Sequence, residues 1–149
     1  MSKKAAVIYA THGGNAELVA EAIADGINSS DIDTYCIKAE LTKAEDLVQY
    51  DCIVLVCSTY DVGHLNDKMI RLNLELVASG EIFKGKEIEV VGLGDSENYD
   101  IFNGAADILE ITVSGIGAIQ KMETVKINGN PHKDLRKYKN WGEDLAKLI

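Results

Sequence analysis

The tract Thr11-His12-Gly13-Gly14-Asn15-Ala16 carries the chemistry most easily read from this chain. It follows the apolar run Ala5-Ala6-Val7-Ile8-Tyr9. It precedes Leu18, Val19, Ala22, Ile23 and Ile27, which recur at helical spacing. A strand that turns through glycine into a helix aims several backbone N–H groups at one point, where the positive end of the helix dipole also sits. Such a turn binds anions, phosphate above all. There is no Lys or Arg in residues 11–16, so neutral dipoles must hold the anion. His12 is the one side chain there that could add charge, and it reads equally well as an exposed loop histidine. Two further tracts mix polar and aromatic residues: Ser58-Thr59-Tyr60-Asp61-Val62-Gly63-His64-Leu65 and Gly94-Asp95-Ser96-Glu97-Asn98-Tyr99-Asp100-Ile101-Phe102-Asn103-Gly104. The sequence has no metal-ligand spacing and no nucleophile elbow.

These tracts sit at the ends of strands in a strictly alternating chain. Thr34-Tyr35-Cys36-Ile37-Lys38-Ala39 reads as a second strand. Residues 42–50 read as a short helix, with Thr42 as N-cap and Glu45 completing a capping box. Cys52-Ile53-Val54-Leu55-Val56-Cys57 is a third strand. Leu65, Met69, Leu72, Leu76 and Val77 mark an amphipathic helix, and residues 88–93 a fourth strand. Ala105, Ile108, Leu109 and Val113 mark another helix, and residues 119–127 a fifth strand. After a turn at Asn128-Gly129-Asn130-Pro131, a final helix carries Leu135, Tyr138, Trp141, Leu145 and Leu148 on one face, with both aromatics in the core or at its edge. Alternation of this kind implies an α/β fold, a five-stranded parallel sheet with helices on both faces. Strands one, three and four contain near-continuous apolar runs, as buried central strands do, whereas the second and fifth alternate more. The order is therefore 2-1-3-4-5. The three polar tracts then open on the same edge, at the carboxyl ends of the strands, where such sheets bind ligands.

With these residues in these places, the chain resembles a flavodoxin of the short-chain kind, lacking the loop that splits the fifth strand in long-chain members. The resemblance spans essentially the whole length and implies a flavodoxin-like three-layer sandwich. The family phosphate loop reads [ST]-x-T-G-x-T, and residues 11–16 occupy it. Gly13 and Ala16 stand where the family has threonines, so two hydroxyl donors are missing. Ser58-Thr59-Tyr60 resembles the loop that carries the inner aromatic. Gly94-Asp95-Ser96, with Tyr99 and Phe102-Asn103-Gly104, resembles the loop that carries the outer one. The resemblance implies FMN as cofactor. Its phosphate would sit on the first loop, aided by Thr11 and Asn15, and its ring would lie between Tyr60 and Tyr99. Asp61, Gly63 and the backbone around Asp95 would complete the pocket. Two aromatic faces, with Asp61, Asp67, Asp95 and Asp100 nearby, would disfavour the anionic reduced flavin. The implied role is a low-potential single-electron carrier between redox proteins. An FMN-dependent quinone-type reductase is the alternative, disfavoured by the short loops. A flavodoxin-fold regulatory module that has lost FMN is another.

Composition agrees with this reading. The 149 residues suit one domain, 1–149, and the net charge of −9 argues against nucleic acid while favouring redox partners with basic docking surfaces. No apolar run is long enough for a membrane span and no signal peptide is visible, so a cytoplasmic monomer is expected. Cys36, Cys52 and Cys57 all lie in expected strands and read as buried, reduced thiols. His64 reads as a rim residue and His132 as solvated. A receiver domain, which shares the strand order, would need acidic residues where Thr11 and His12 stand.

Overall fold

The apolar runs form the centre of a parallel sheet. In the structure, a computed structural model, residues 3–60, 63–94 and 103–149 are described, with the backbone alone at Tyr60. Strands β1 (Lys4–Ala10), β2 (Asp33–Lys38), β3 (Cys52–Tyr60), β5 (Glu87–Gly94) and β6 (Val125–Asn128) lie in the order β2-β1-β3-β5-β6. All these pairings are parallel. The sequence-derived order holds, with β5 and β6 as its fourth and fifth strands. One strand is additional: β4 (His64–Leu65) folds back antiparallel on the end of β3.

Period-two alternation divides the sheet residues between two cores. Ala6, Ile8, Ile53 and Leu55 face helices α2 (Asp67–Val77) and α3 (Gly104–Gly115). Ala5, Val7, Val54 and Val56 face α1 (Asn15–Asn28) and α4 (Leu135–Ala146). Tyr138 is buried and Trp141 packs at the edge of that second core, as expected. Two glycines let α1 and α4 touch backbone to backbone. A side chain at Gly26 would overlap the Lys139 carbonyl, and one at Gly142 the Ile23 carbonyl. No helix among the described residues is long and apolar enough to cross a membrane.

Three local expectations need correction. Residues 42–50 do not form one capped helix. One 3-10 turn, Ala39–Leu41, ends before them and a second spans Ala44–Gln49, with no side chain capping the second from Lys43. The Thr42 hydroxyl instead donates to the Lys38 carbonyl at 2.8 Å, and the Ala44 N–H is met by the Glu75 carboxylate at 2.9 Å. Cys36 is exposed on the edge strand β2, while Cys52 and Cys57 are buried. The fifth strand is also broken. Ile119 makes an isolated bridge to Glu87, and the ladder resumes only at Val125.

The break has an electrostatic cause. Glu89 is wholly buried on β5, and its carboxylate accepts the N–H groups of Lys121 at 3.0 Å and Met122 at 3.1 Å. A side chain thus takes the backbone donors that the sheet would otherwise use. Glu87, also buried, lies beside Glu89, opposite Cys52 in the ladder, with Lys121 Nζ 3.4 Å from its carboxylate. Burial, and next the neighbouring Glu87, raise the Glu89 carboxyl to about 8.

Two outcomes follow from this packing. Gly26→Ala should destabilise the protein by about 1–3 kcal/mol, because the α1–α4 contact has no room for a methyl group; urea denaturation measures it. The raised Glu89 pKa means that the folded state holds a proton the unfolded chain releases near pH 4.5. Wild-type stability should therefore fall as pH rises from about 5 through about 8. Glu89→Gln should flatten that dependence while lowering stability at pH 5, since an amide cannot accept both N–H groups with equal ease. Melting curves across the range test both parts.

Candidate functional site

The chain leaves the sheet at Ala10, fully buried, and turns at once. The Thr11 hydroxyl oxygen accepts the Gly14 N–H at 2.9 Å, which closes the turn and leaves the hydroxyl proton free to donate outward. Gly14 has φ 91° and precedes the first residue of α1, where only glycine is comfortable. No side chain caps α1, so the amides of its first turn rely on a partner from outside the helix. A Cβ at Gly13 or Gly14 would meet nothing within 4 Å, so the bareness of the loop leaves space above it. His12 and Gly13 are exposed, Thr11 and Asn15 half-buried, and Ala16 is wholly buried in the core. Glu17, the acid of the first helical turn, accepts the Tyr9 hydroxyl at 2.9 Å.

The second tract is tied to the first. The Ser58 hydroxyl donates to the Ala10 carbonyl at 3.3 Å and accepts from Asn66 Nδ2 at 2.6 Å. Asn66, fully buried, is also the N-cap of α2, accepting the Lys68 N–H at 3.0 Å. Thr59 is buried and its hydroxyl receives the Ala105 N–H at 3.5 Å. Gly63 presents its carbonyl to Gly104 so closely that a side chain at Gly104 would overlap it. In the third tract the Gly94 carbonyl accepts the Gly129 N–H at 2.8 Å. Asn103 is fully buried and donates from Nδ2 to the Ile127 carbonyl at 3.2 Å. Asp61, Asp95, Tyr99 and Phe102 lie outside the described residues, as does the side chain of Tyr60.

An open cavity of about 530 Å³ lies at the strand ends. Of the residues expected at the site, Thr11, His12, Gly13, Asn15, Ser58, Thr59 and Gly94 line it. Gly14, Ala16, Gly63 and Asn103 do not; they shape the loops and elements around it. Leu93, Gly129 and Asn130 also line it, although sequence reasoning did not include them. A signal for the last two was available: they form the turn after the last strand, on the same edge. Among the described residues no group of three or more His, Cys, Asp or Glu could hold a metal ion.

Two residues of α2 reach the first loop: Asp67, expected near the ring, and Lys68, which the local pattern does not single out. Lys68 Nζ donates to the Thr11 carbonyl at 3.1 Å, and His12 Nε2 lies 2.6 Å from Asp67 Oδ1. Cys57, beneath the site, has its thiol pushed up to about 12 by burial, so it stays protonated. The donor set fits a phosphate monoester: backbone amides at a helix start, one free hydroxyl proton, and an amide side chain, with an adjoining space of ligand size.

The chain matches the flavodoxin family model over residues 7–141. It is 32% identical over 149 residues to a flavodoxin of Maridesulfovibrio salexigens, covering 98% of this chain and 99% of that one. It is 31% identical over 148 residues to a probable flavodoxin 2 of Bacillus subtilis, covering 97% and 95%. Among solved structures it superposes on oxidised flavodoxin 1 from Bacillus cereus with a TM-score of 0.90, at 28% identity and 99% coverage of both chains.

The loop geometry separates its two glycines. Gly14→Ala should cost about 1–2 kcal/mol in thermal or urea denaturation, because the methyl group has room but the backbone angle is left-handed. Gly13→Ala, where φ is not positive, should be neutral or stabilising by up to about 1 kcal/mol.

Proposed function

The chain belongs to the flavodoxin family, whose cofactor is FMN, and from that premise we propose that it is a low-potential single-electron carrier between redox proteins. The observation that carries this reading is the cavity at the carboxyl ends of β1, β3 and β5, floored by an uncapped helix start. Residues of the first loop would hold the phosphate: the backbone amides of the loop other than that of Gly14, those of the first turn of α1, the Thr11 hydroxyl, and Asn15. Bound there, FMN supplies the one-electron redox chemistry that the protein's own side chains lack. Tyr60 and Tyr99 are proposed as the aromatic neighbours of its ring, with Asp95 meeting the polar end through its backbone. Ser58 and Thr59 spend their hydroxyls on Ala10, Asn66 and Ala105, so they shape the wall of the cavity more than they grip a ligand.

The carrier role asks little further of the protein. It must keep the ring edge accessible, exclude water from the rest, and meet its partners briefly. A net charge of −9 favours partners with basic faces, and such encounters weaken as salt rises. The proposed setting is cytoplasmic, with the chain acting as a monomer.

Titration of the apoprotein with FMN and with riboflavin tests the reading. FMN should bind at least about tenfold more tightly, the worth of one charge-assisted hydrogen bond to phosphate. Equal affinities would mean that the first loop is not a phosphate site, and no binding of either would remove the carrier function.

A further inference from the structure

We propose that Lys68 is a positioning residue for the phosphate end of this site, supplying from α2 the fixed positive charge that the loop itself lacks. This rests on the FMN reading above. Residues 11–16 contain no Lys or Arg, and Gly13 and Ala16 offer no side-chain hydrogen bond. Ala16 is also wholly buried, which leaves little freedom to place a donor there. An anion on this loop therefore depends on backbone amides and on whatever charge lies close behind them.

Lys68 is placed to provide it. Its ammonium donates to the Thr11 carbonyl at 3.1 Å. In a trans peptide the carbonyl and the following N–H point in opposite directions. Drawing the Thr11 carbonyl toward α2 therefore turns the His12 N–H to the other side. The same contact polarises that peptide, so its N–H becomes a stronger donor. The main chain of Lys68 is held as well as its ammonium. The Lys68 N–H is bonded to Asn66, which is fully buried and fastened to Ser58 at the end of β3.

The neighbouring charges do not cancel this effect. Glu40 stands 3.8 Å from Lys68 Nζ, at the limit of an ion pair, and both side chains are more than a third exposed. Asp67 is engaged with His12 at 2.6 Å, and Glu17 with the Tyr9 hydroxyl. Among the described residues, the two acids beside the loop, Asp67 and Glu17, are thus partnered, while the Lys68 contact is directed at the loop backbone.

Affinities for FMN and riboflavin, measured on Lys68→Met, Lys68→Arg and the surface control Lys147→Met, test the assignment. Lys68→Met should weaken FMN about tenfold and riboflavin less than about twofold, and should reduce the salt dependence of FMN binding. Lys68→Arg should restore most of the preference, because it keeps a donor and a charge, and Lys147→Met should leave it unchanged. A merely structural lysine would weaken both ligands together, and that result overturns the proposal; so does an unchanged FMN-to-riboflavin ratio. Urea denaturation of each apoprotein separates misfolding from lost affinity. If wild type prefers FMN and Lys68→Met keeps the preference, Lys68 alone is excluded. If wild type shows no preference, the phosphate reading falls and Lys68 with it.

Discussion

The ladder between β1 and β3 is the constraint on which the rest of the molecule depends. It runs from Ala5 opposite Cys52 to Ala10 opposite Cys57, wholly buried on both faces. Parallel pairing obliges the chain to cross over after each strand, here through α1, the two 3-10 turns, α2 and α3, so every carboxyl end opens on the same edge. The first loop and the ends of β3 and β5 therefore meet on that edge. The Ser58 hydroxyl then fastens the two central strand ends to each other and, through Asn66, to the start of α2. A side chain that served only one of these contacts would leave the loop and the helix free to shift relative to one another.

That network also resolves an electrostatic difficulty. The protein is strongly acidic, and the first loop, proposed to hold a phosphate, carries no lysine or arginine. Dipoles supply part of the answer, since the start of α1 has no side-chain cap and Gly14 leaves the amides uncovered. Another part comes from partnering nearby acids. Glu17 takes the Tyr9 hydroxyl and Asp67 takes His12. A carboxylate held in a hydrogen bond opposes a second anion less than one pointing into the same space.

The opposite end of the sheet follows a different logic. There Glu87 and Glu89 are buried together, and Glu89 uses both oxygens on the backbone of residues 121 and 122. The fifth strand is interrupted because its donors are satisfied from the side, which keeps buried amides paired even where the ladder stops. Binding and stability thus draw on separate groups at separate ends of the strands. A change in one end need not disturb the other.

Strand and helix identity, the sheet order and the edge that carries the site were legible in the sequence, because apolar periodicity is a property of near neighbours along the chain. The continuous apolar run Ala5-Ala6-Val7-Ile8-Tyr9 and the helical spacing of Leu18, Val19, Ala22 and Ile23 need no knowledge of what lies across the sheet. Glycine at position 14 was equally legible, since a turn between strand and helix demands its backbone freedom. The capping box at Thr42, the unbroken fifth strand and the burial of Cys36 were misread for one reason. Each depended on a competing partner or a neighbouring layer, and Glu75, Glu89 and the open edge of β2 are distant in sequence. Lys68 shows the same limit most clearly, standing 57 residues from the carbonyl it holds. Local pattern sets which elements form and in what order. Only their packing, through register and crossover, decides which side chains arrive at the same point.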